Sequence, residues 1–286
     1  MTLPLVKMKQ HTKISNTKYP AAIRNLPRDR GPDGTQAFWA NHDQADTAFL
    51  RAQADFSAPL LKPGQTLLKQ ARQRFVFRQP NKNTNYVFKL FPLRFIGSKL
   101  RHQKYGYREF SNMLIAQSLG VPTPDPIAFL EKRRLGLVTC SGLVQQNLEG
   151  YSDLLALGHS GTLKKTQVLD LAATVLCRLF DVGANHVDLR DENIMVDLTT
   201  GDWRVIDWQY SSFVAPRAPM LLEYLVAYFI RLAPADWHVT MAAEWVPKVH
   251  AQSGHSDPFD VFIARVMALV GVRTRVRHRL NLRAVM

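Results

Sequence analysis

Apolar and polar positions alternate in two different rhythms along the chain. Residues 1–36 show neither rhythm. They are polar and basic, carry Pro20, Pro27, Pro32, Gly31 and Gly34, and read as an irregular lead-in. Residues 37–56 set Phe38, Trp39, Ala45, Phe49 and Leu50 among polar positions, which predicts a helix. Thr66–Lys69, Arg74–Arg78 and Asn85–Phe91 are short β-prone runs, with Pro80-Asn81-Lys82-Asn83 as a turn between the last two. Lys99–Leu119 then repeats Tyr107, Phe110, Met113, Leu114 and Gln117 at three-to-four spacing, and Gly120 and Pro122 end it. Pro126–Leu130 and Leu135–Val144 are predicted strands, and a hinge is predicted near Gln145–Gly150.

Beyond residue 150 the helical rhythm dominates. In Thr162–Asp181 the residues Val168, Leu171, Ala172, Val175, Leu176 and Leu179 share one face. A β pair, Ile194–Asp197 and Trp203–Ile206, turns through Thr199-Thr200-Gly201-Asp202. Helical patterns follow over Met220–Leu232, Ala235–Val246 and Pro258–Val270. A strand lobe with one helix followed by a helical lobe predicts two lobes around a cleft, a common setting for a ligand site.

Composition narrows the partners. The 286 residues are 46% hydrophobic, enough for a buried core. Lys and Arg number 37 against 23 Asp and Glu, a formal charge of +14 that favours an anionic partner such as nucleotide, phosphorylated glycan, acidic lipid head group or nucleic acid. No nucleic-acid recognition element accompanies the charge, which makes nucleic acid the least favoured partner. Cys140 and Cys177 lie in apolar runs and are expected as buried thiols rather than a disulfide or metal framework. No run reaches the roughly 20 apolar residues needed to span a bilayer. Leu221–Ile230 is interrupted by Glu223, and Val261–Val272 by Arg265. With no secretory pattern in residues 1–20, the expected location is cytoplasmic.

The chemistry concentrates in His186-Val187-Asp188-Leu189-Arg190-Asp191-Glu192-Asn193, followed by Arg204-Val205-Ile206-Asp207-Trp208. The form H-x-D-L-x-x-x-N, then an Asp 14 residues after the Asn, resembles the catalytic loop and metal-binding Asp of kinases. It so implies phosphoryl transfer, which asks a protein for positioning and charge neutralisation more than for covalent chemistry. A carboxylate must face the incoming hydroxyl, and an amide oxygen with a second carboxylate suits Mg2+, which takes hard oxygen ligands. The resemblance implies that Asp188 would take the first role and Asn193 and Asp207 the second, with Arg190, two residues after Asp188, reaching towards a transferring phosphate. His186 is expected to pack behind the loop.

This spacing resembles the catalytic loop and metal-binding Asp of protein kinases and kinase-like small-molecule phosphotransferases. The resemblance implies an α+β, protein-kinase-like two-lobe fold, with a small β-rich N-lobe carrying one helix and a larger helical C-lobe. Its boundaries are a basic arm and lead-in helix over 1–60, the N-lobe over 61–148 and the C-lobe with a basic tail over 149–286. It also implies ATP and Mg2+ as cofactors, with Lys89 paired to Glu109, and with Gln146 and Leu148 of the hinge in the nucleotide-binding set. Two features depart from protein kinases. No glycine lies between Leu67 and Phe77, where a glycine-rich loop would cover phosphates, although Arg72 and Arg74 are at hand. Asp207-Trp208-Gln209 replaces Asp-Phe-Gly, as in aminoglycoside and choline phosphotransferases.

Arg108-Glu109-Phe110, Leu119-Gly120-Val121-Pro122-Thr123-Pro124 and Glu131-Lys132-Arg133-Arg134-Leu135-Gly136 resemble the bacterial lipopolysaccharide core kinase family, whose members phosphorylate Kdo or heptose. This resemblance covers roughly residues 65–210. It implies transfer of the ATP γ-phosphate to a sugar hydroxyl of a lipid-linked, anionic glycan at the inner face of the inner membrane. The run Arg273, Arg275, Arg277, Arg279 and Arg283 would supply a peripheral contact with acidic head groups. A kinase-like enzyme for another small hydroxyl acceptor and a catalytically silent kinase-fold regulator are the alternatives.

Overall fold

The computed structural model describes residues 23, 25–30, 35–40, 63–71, 74–81 and 84–271. Most of the expected basic arm, most of the expected 37–56 helix, Arg72 and the arginine run after residue 271 lie outside them.

The N-lobe is one seven-stranded antiparallel sheet. Its strands are β1 (Arg28–Arg30), β2 (Thr35–Trp39), β3 (Thr66–Ala71), β4 (Arg74–Asn81), β5 (Thr84–Pro92), β6 (Pro126–Arg134) and β7 (Leu137–Gln146), ordered β1-β2-β6-β7-β5-β4-β3. Between β5 and β6 come a short helix α1 (Ile96–Leu100), a 3-10 turn (His102–Lys104) and the longer helix α2 (Gly106–Ser118).

Two expectations are corrected here. Thr35–Trp39 is a strand rather than the start of a helix, and it pairs with β6 from Thr35↔Lys132 to Trp39↔Ala128. All five of its residues are buried, and a short apolar run takes the state its neighbour offers. The single helix expected over Lys99–Leu119 is also broken. Tyr105 leaves the helical backbone (φ −106°, ψ −135°), and α2 begins afresh at Gly106. A Cβ on Gly106 would sit 3.1 Å from the Gly142 backbone on β7, so glycine lets the helix start against the sheet.

Side chains alternate across the sheet, and one face meets α2. Phe38, Phe129, Leu143 and Lys89 occupy directly paired positions on β2, β6, β7 and β5. Phe129 packs against Tyr107 and Phe110 of α2, with ring centroids 5.4 and 6.1 Å apart. Lys89 therefore projects from the same sheet face that α2 covers.

After the hinge come β8 (Tyr151–Asp153), α3 (Leu154–His159), α4 (Lys165–Val182), β9 (Ala184–Asn185), β10 (Ile194–Asp197), β11 (Trp203–Val205) and β12 (Ser212–Phe213). Helices α5 (Leu221–Leu232), α6 (Val246–Ser253) and α7 (Phe259–Val270) close the C-lobe, with a π-helical turn at Met241–Trp245 where a continuous helix was expected. The architecture is an α+β, protein-kinase-like fold of two lobes. Val168, Ala172, Val175, Leu176 and Leu179 of α4 are buried in one continuous core with α5 and α7. The two charges that interrupt apolar runs prove to be partners: Arg265 Nη1 lies 3.2 Å from Glu223 Oε1, and the Glu223 side chain is fully buried. Both cysteines are buried free thiols, and burial raises the Cys177 pKa to about 11. Among the described residues no helix is long and apolar enough to cross a membrane.

Candidate active site

The site is built from one short hairpin and what packs on it. Strands β10 and β11 pair with Ile194↔Val205 and Val196↔Trp203, so the residues just before β10 and just after β11 are brought side by side. Asn193 Nδ2 donates to the Asp188 carbonyl at 2.7 Å, and the Ile206 N–H donates to the Asn193 carbonyl at 3.0 Å. Asn193 is thus bonded to the Asp188 backbone and to Ile206, the residue that precedes Asp207. Asp207 takes a left-handed backbone (φ 65°, ψ 55°), a conformation that costs energy for a non-glycine residue and is held only where its surroundings demand it.

Those surroundings are specific. His186 is fully buried, and its Nε2 lies 3.0 Å from the Ile206 carbonyl. Its ring meets Trp208 edge-on at 4.8 Å. Trp208, also fully buried, donates its indole N–H to the Val205 carbonyl at 2.9 Å. Asn112 of α2 donates through Nδ2 to the carbonyls of Trp208 (2.8 Å) and Ser211 (3.0 Å), which ties the N-lobe helix to the segment after Asp207. Nothing in the motif's spacing pointed to Asn112; its position three residues after Glu109, on the same face of α2, was the available signal.

Lys89 is 7% exposed and Glu109 fully buried, and Lys89 Nζ lies 2.5 Å from Glu109 Oε1. Glu109 therefore reaches across to the sheet instead of pairing along its helix with Lys104 or Arg108. Burial lifts the Glu109 pKa above the ordinary carboxylate value against the pull of Lys89. Burial acts the same way on Asp207, but Lys89 and Arg74 outweigh it and hold that carboxyl below its usual range.

Arg74 begins β4. It pairs with Ala71 at the end of β3. Arg74 Nη1 reaches Asp207 Oδ2 at 3.3 Å, with both side chains one-fifth exposed. The guanidinium thus brings positive charge to the place where phosphate oxygens would need compensation, on a carboxylate that a divalent cation would also use.

Three other expected site residues have different surroundings. Arg190 forms an ion pair with Glu192 at 2.6 Å. Gln146, the last residue of β7, is exposed, and its backbone N–H is already donated to the Asp125 carbonyl at 2.9 Å. Leu148 is half-buried in the hinge, where its carbonyl accepts from the Tyr151 N–H at 3.4 Å.

The donor set suits magnesium. Asp207 is held ionised, and the Asn193 amide nitrogen is committed to Asp188, which leaves the amide oxygen as its ligand atom. A carboxylate with an amide oxygen is the hard-oxygen chemistry this ion prefers.

His186 gives the site a stability signature. Desolvation depresses its pKa to about 4 from the usual 6.5. Between those values the unfolded chain binds a proton that the folded chain refuses, so stability falls as pH drops from 6.5 towards 4 and is retained above 6.5. The full loss is on the order of 3 kcal/mol. Urea unfolding across this range should show a His186→Gln variant losing less stability than the parent chain; identical acid limbs would refute the assignment.

Comparison with known proteins places the site in a sequence context. Residues 98–212 match the lipopolysaccharide kinase (Kdo/WaaP) family model. That segment holds Glu109, Asp188, Asn193 and Asp207 but not Lys89. A 3-deoxy-D-manno-octulosonic acid kinase of Haemophilus influenzae is 29% identical over 111 residues, covering 35% of this chain and 46% of that enzyme. The chain thus spans about half the length of this curated relative. A solved structure of WaaP in complex with acyl carrier protein superposes with TM-score 0.49 and 13% identity, over 72% of this chain and 84% of that one. A crystal structure of WbdD superposes with TM-score 0.47 and 20% identity, over 78% of this chain and 49% of that one.

Proposed function

From the match of its central segment to the lipopolysaccharide kinase (Kdo/WaaP) family, we propose that this chain transfers the γ-phosphate of ATP to a sugar hydroxyl of the lipopolysaccharide inner core. What supports the reading is an ionised Asp207 one residue beyond Ile206, which bonds the Asn193 backbone, with Asn193 tied in turn to the Asp188 loop and a buried Lys89–Glu109 pair in the same lobe as Arg74.

In this reading Lys89, steadied by Glu109, binds the α- and β-phosphates. Asp188 accepts the proton of the acceptor hydroxyl as its oxygen bonds the γ-phosphorus and the bond from that phosphorus to the β-phosphate oxygen breaks, releasing ADP. Asn193 and Asp207 hold Mg2+, which supplies charge neutralisation to the phosphates. Arg74 exchanges its contact with Asp207 for the phosphates and takes over the covering role that glycine amides serve in protein kinases. Gln146 and Leu148 border the base, with the Gln146 side chain and the Leu148 backbone as the groups that remain to meet it. Arg190 releases Glu192 to meet the transferring phosphate.

The acceptor, a lipid-linked anionic glycan, is reached at the inner face of the inner membrane. The test is mass spectrometry of lipopolysaccharide core from cells with and without the gene. The expected result is the loss of one phosphate per core in its absence; an unchanged phosphate complement overturns the acceptor assignment.

A further inference from the structure

The segment between β5 and α2 has a surface that the proposed chemistry does not use. Phe95 is 60% exposed, Ile96 61% and Leu100 69%, within one short helical turn and its cap. Ile96 and Leu100 are four apart and lie on the same side of α1. Large apolar side chains so exposed and so closely grouped mark an interaction surface.

The flanking charge is of one sign. Arg94, Arg101, Lys104 and Arg108 are exposed, Lys99 is half-exposed, and among the described residues none of the five is paired with a carboxylate. Elsewhere the protein pairs its arginines readily, as at Arg133–Glu131 and Arg217–Asp181. The local charge has a wider setting: from residue 56 to residue 108 the sequence contains no Asp or Glu and twelve Lys or Arg.

A cavity of about 490 Å3 opens beside this turn, with Arg101 and Lys104 among its lining residues on one side and Gln209 and Tyr210 on the other. Gln209 Nε2 donates to the Lys104 carbonyl at 2.9 Å, which fixes the turn to the segment immediately after Asp207. An anionic group held there would lie two to three residues along the chain from the proposed metal ligand.

We propose that the Phe95–Leu100 turn docks the protein on an anionic phospholipid surface. The three apolar side chains enter the interface, and the surrounding lysines and arginines face acidic head groups, one of which enters the Arg101–Lys104 cavity. Aromatic and aliphatic side chains ringed by unpaired cations are the combination that binds reversibly to such a surface. An acidic protein partner is the competing occupant, and capture by vesicles of lipid alone is the outcome that separates the two. The docking surface is separate from the arginine run after residue 271, and it stands or falls independently of the proposed acceptor.

The test is flotation of the full chain with vesicles of phosphatidylcholine alone or with 30% phosphatidylglycerol. The expected result is capture by the anionic vesicles only, falling as salt is raised from 50 to 500 mM. Phe95→Ser/Ile96→Ser/Leu100→Ser and Arg94→Gln/Arg101→Gln/Lys104→Gln should each reduce capture at least tenfold, with unchanged circular dichroism and melting temperature. Failure of the parent chain to float, or retention of capture by either triple variant, overturns the proposal; retention by both together with loss on truncation after Gly271 would assign the contact to the arginine run.

Discussion

Asp207→Ala should lower ATP consumption by roughly a thousandfold or more, equivalent to about 4 kcal/mol of transition-state stabilisation. The variant also removes the partner of Arg74 and one of the two carboxylates beside Lys89. The fold should persist, because Lys89 keeps Glu109 and Arg74 is at a hairpin tip with access to water. Asp188→Ala should abolish turnover to a similar extent but for a different reason. Asp188 contributes its backbone carbonyl to Asn193, and that bond survives truncation of the side chain. Stabilisation by Mg-ATP in a thermal-shift experiment separates the two. It should be lost in Asp207→Ala and kept in Asp188→Ala. Turnover by either variant at the parent rate would refute the role given to that residue.

The second large effect concerns stability. Lys89→Met should destabilise the protein by about 3–5 kcal/mol at pH 8, the cost of leaving a buried carboxylate without its cation. Glu109 is the residue left behind, fully enclosed, with its second oxygen lacking a hydrogen-bond partner among the described residues. Burial already raises its pKa. In the variant the folded chain will therefore bind a proton at a pH where the unfolded chain does not. The sign follows: the variant should become more stable relative to its parent as pH falls from 8 towards 5. Glu109→Leu should cost less, since Lys89 retains Asp207 as a counter-charge. Combining Lys89→Met with Glu109→Leu should recover most of the stability, remove the pH-dependent difference from the parent and leave the protein without turnover. Urea midpoints for the four proteins at two pH values provide the measurement. Simple additivity of the single losses would show that the two residues do not act as a pair.

Both experiments probe arrangements whose legibility in the sequence differed. Asp188, Asn193 and Asp207 were readable because they sit on one local unit. A loop, a four-residue strand, a turn through Gly201 and a second short strand leave little freedom, so spacing along the chain becomes spacing in space. The α4 helix was equally plain, since its apolar period and its end at Gly183 are local features. The segment after Leu232 was less so: a helical pattern resolved into a 3-10 turn, a π-helical turn and a separate α6.

The sequence by itself determined the order of the lobes, the main strands and the local frame of the Asp188–Asn193 loop, because each follows from periodicity and turn chemistry within a few tens of residues. Only the tertiary structure decided that Thr35–Trp39 is a strand, because a buried apolar run of five residues is compatible with either state until β6 offers it hydrogen bonds. It also decided which charges meet: Lys89 with Glu109 across sheet and helix, Arg74 with Asp207 between lobes, and Glu223 with Arg265 across two helices. A chain in isolation fixes neither sheet register against a helix nor the approach of two lobes. Those depend on burying apolar faces together, and the long-range pairings come with that packing.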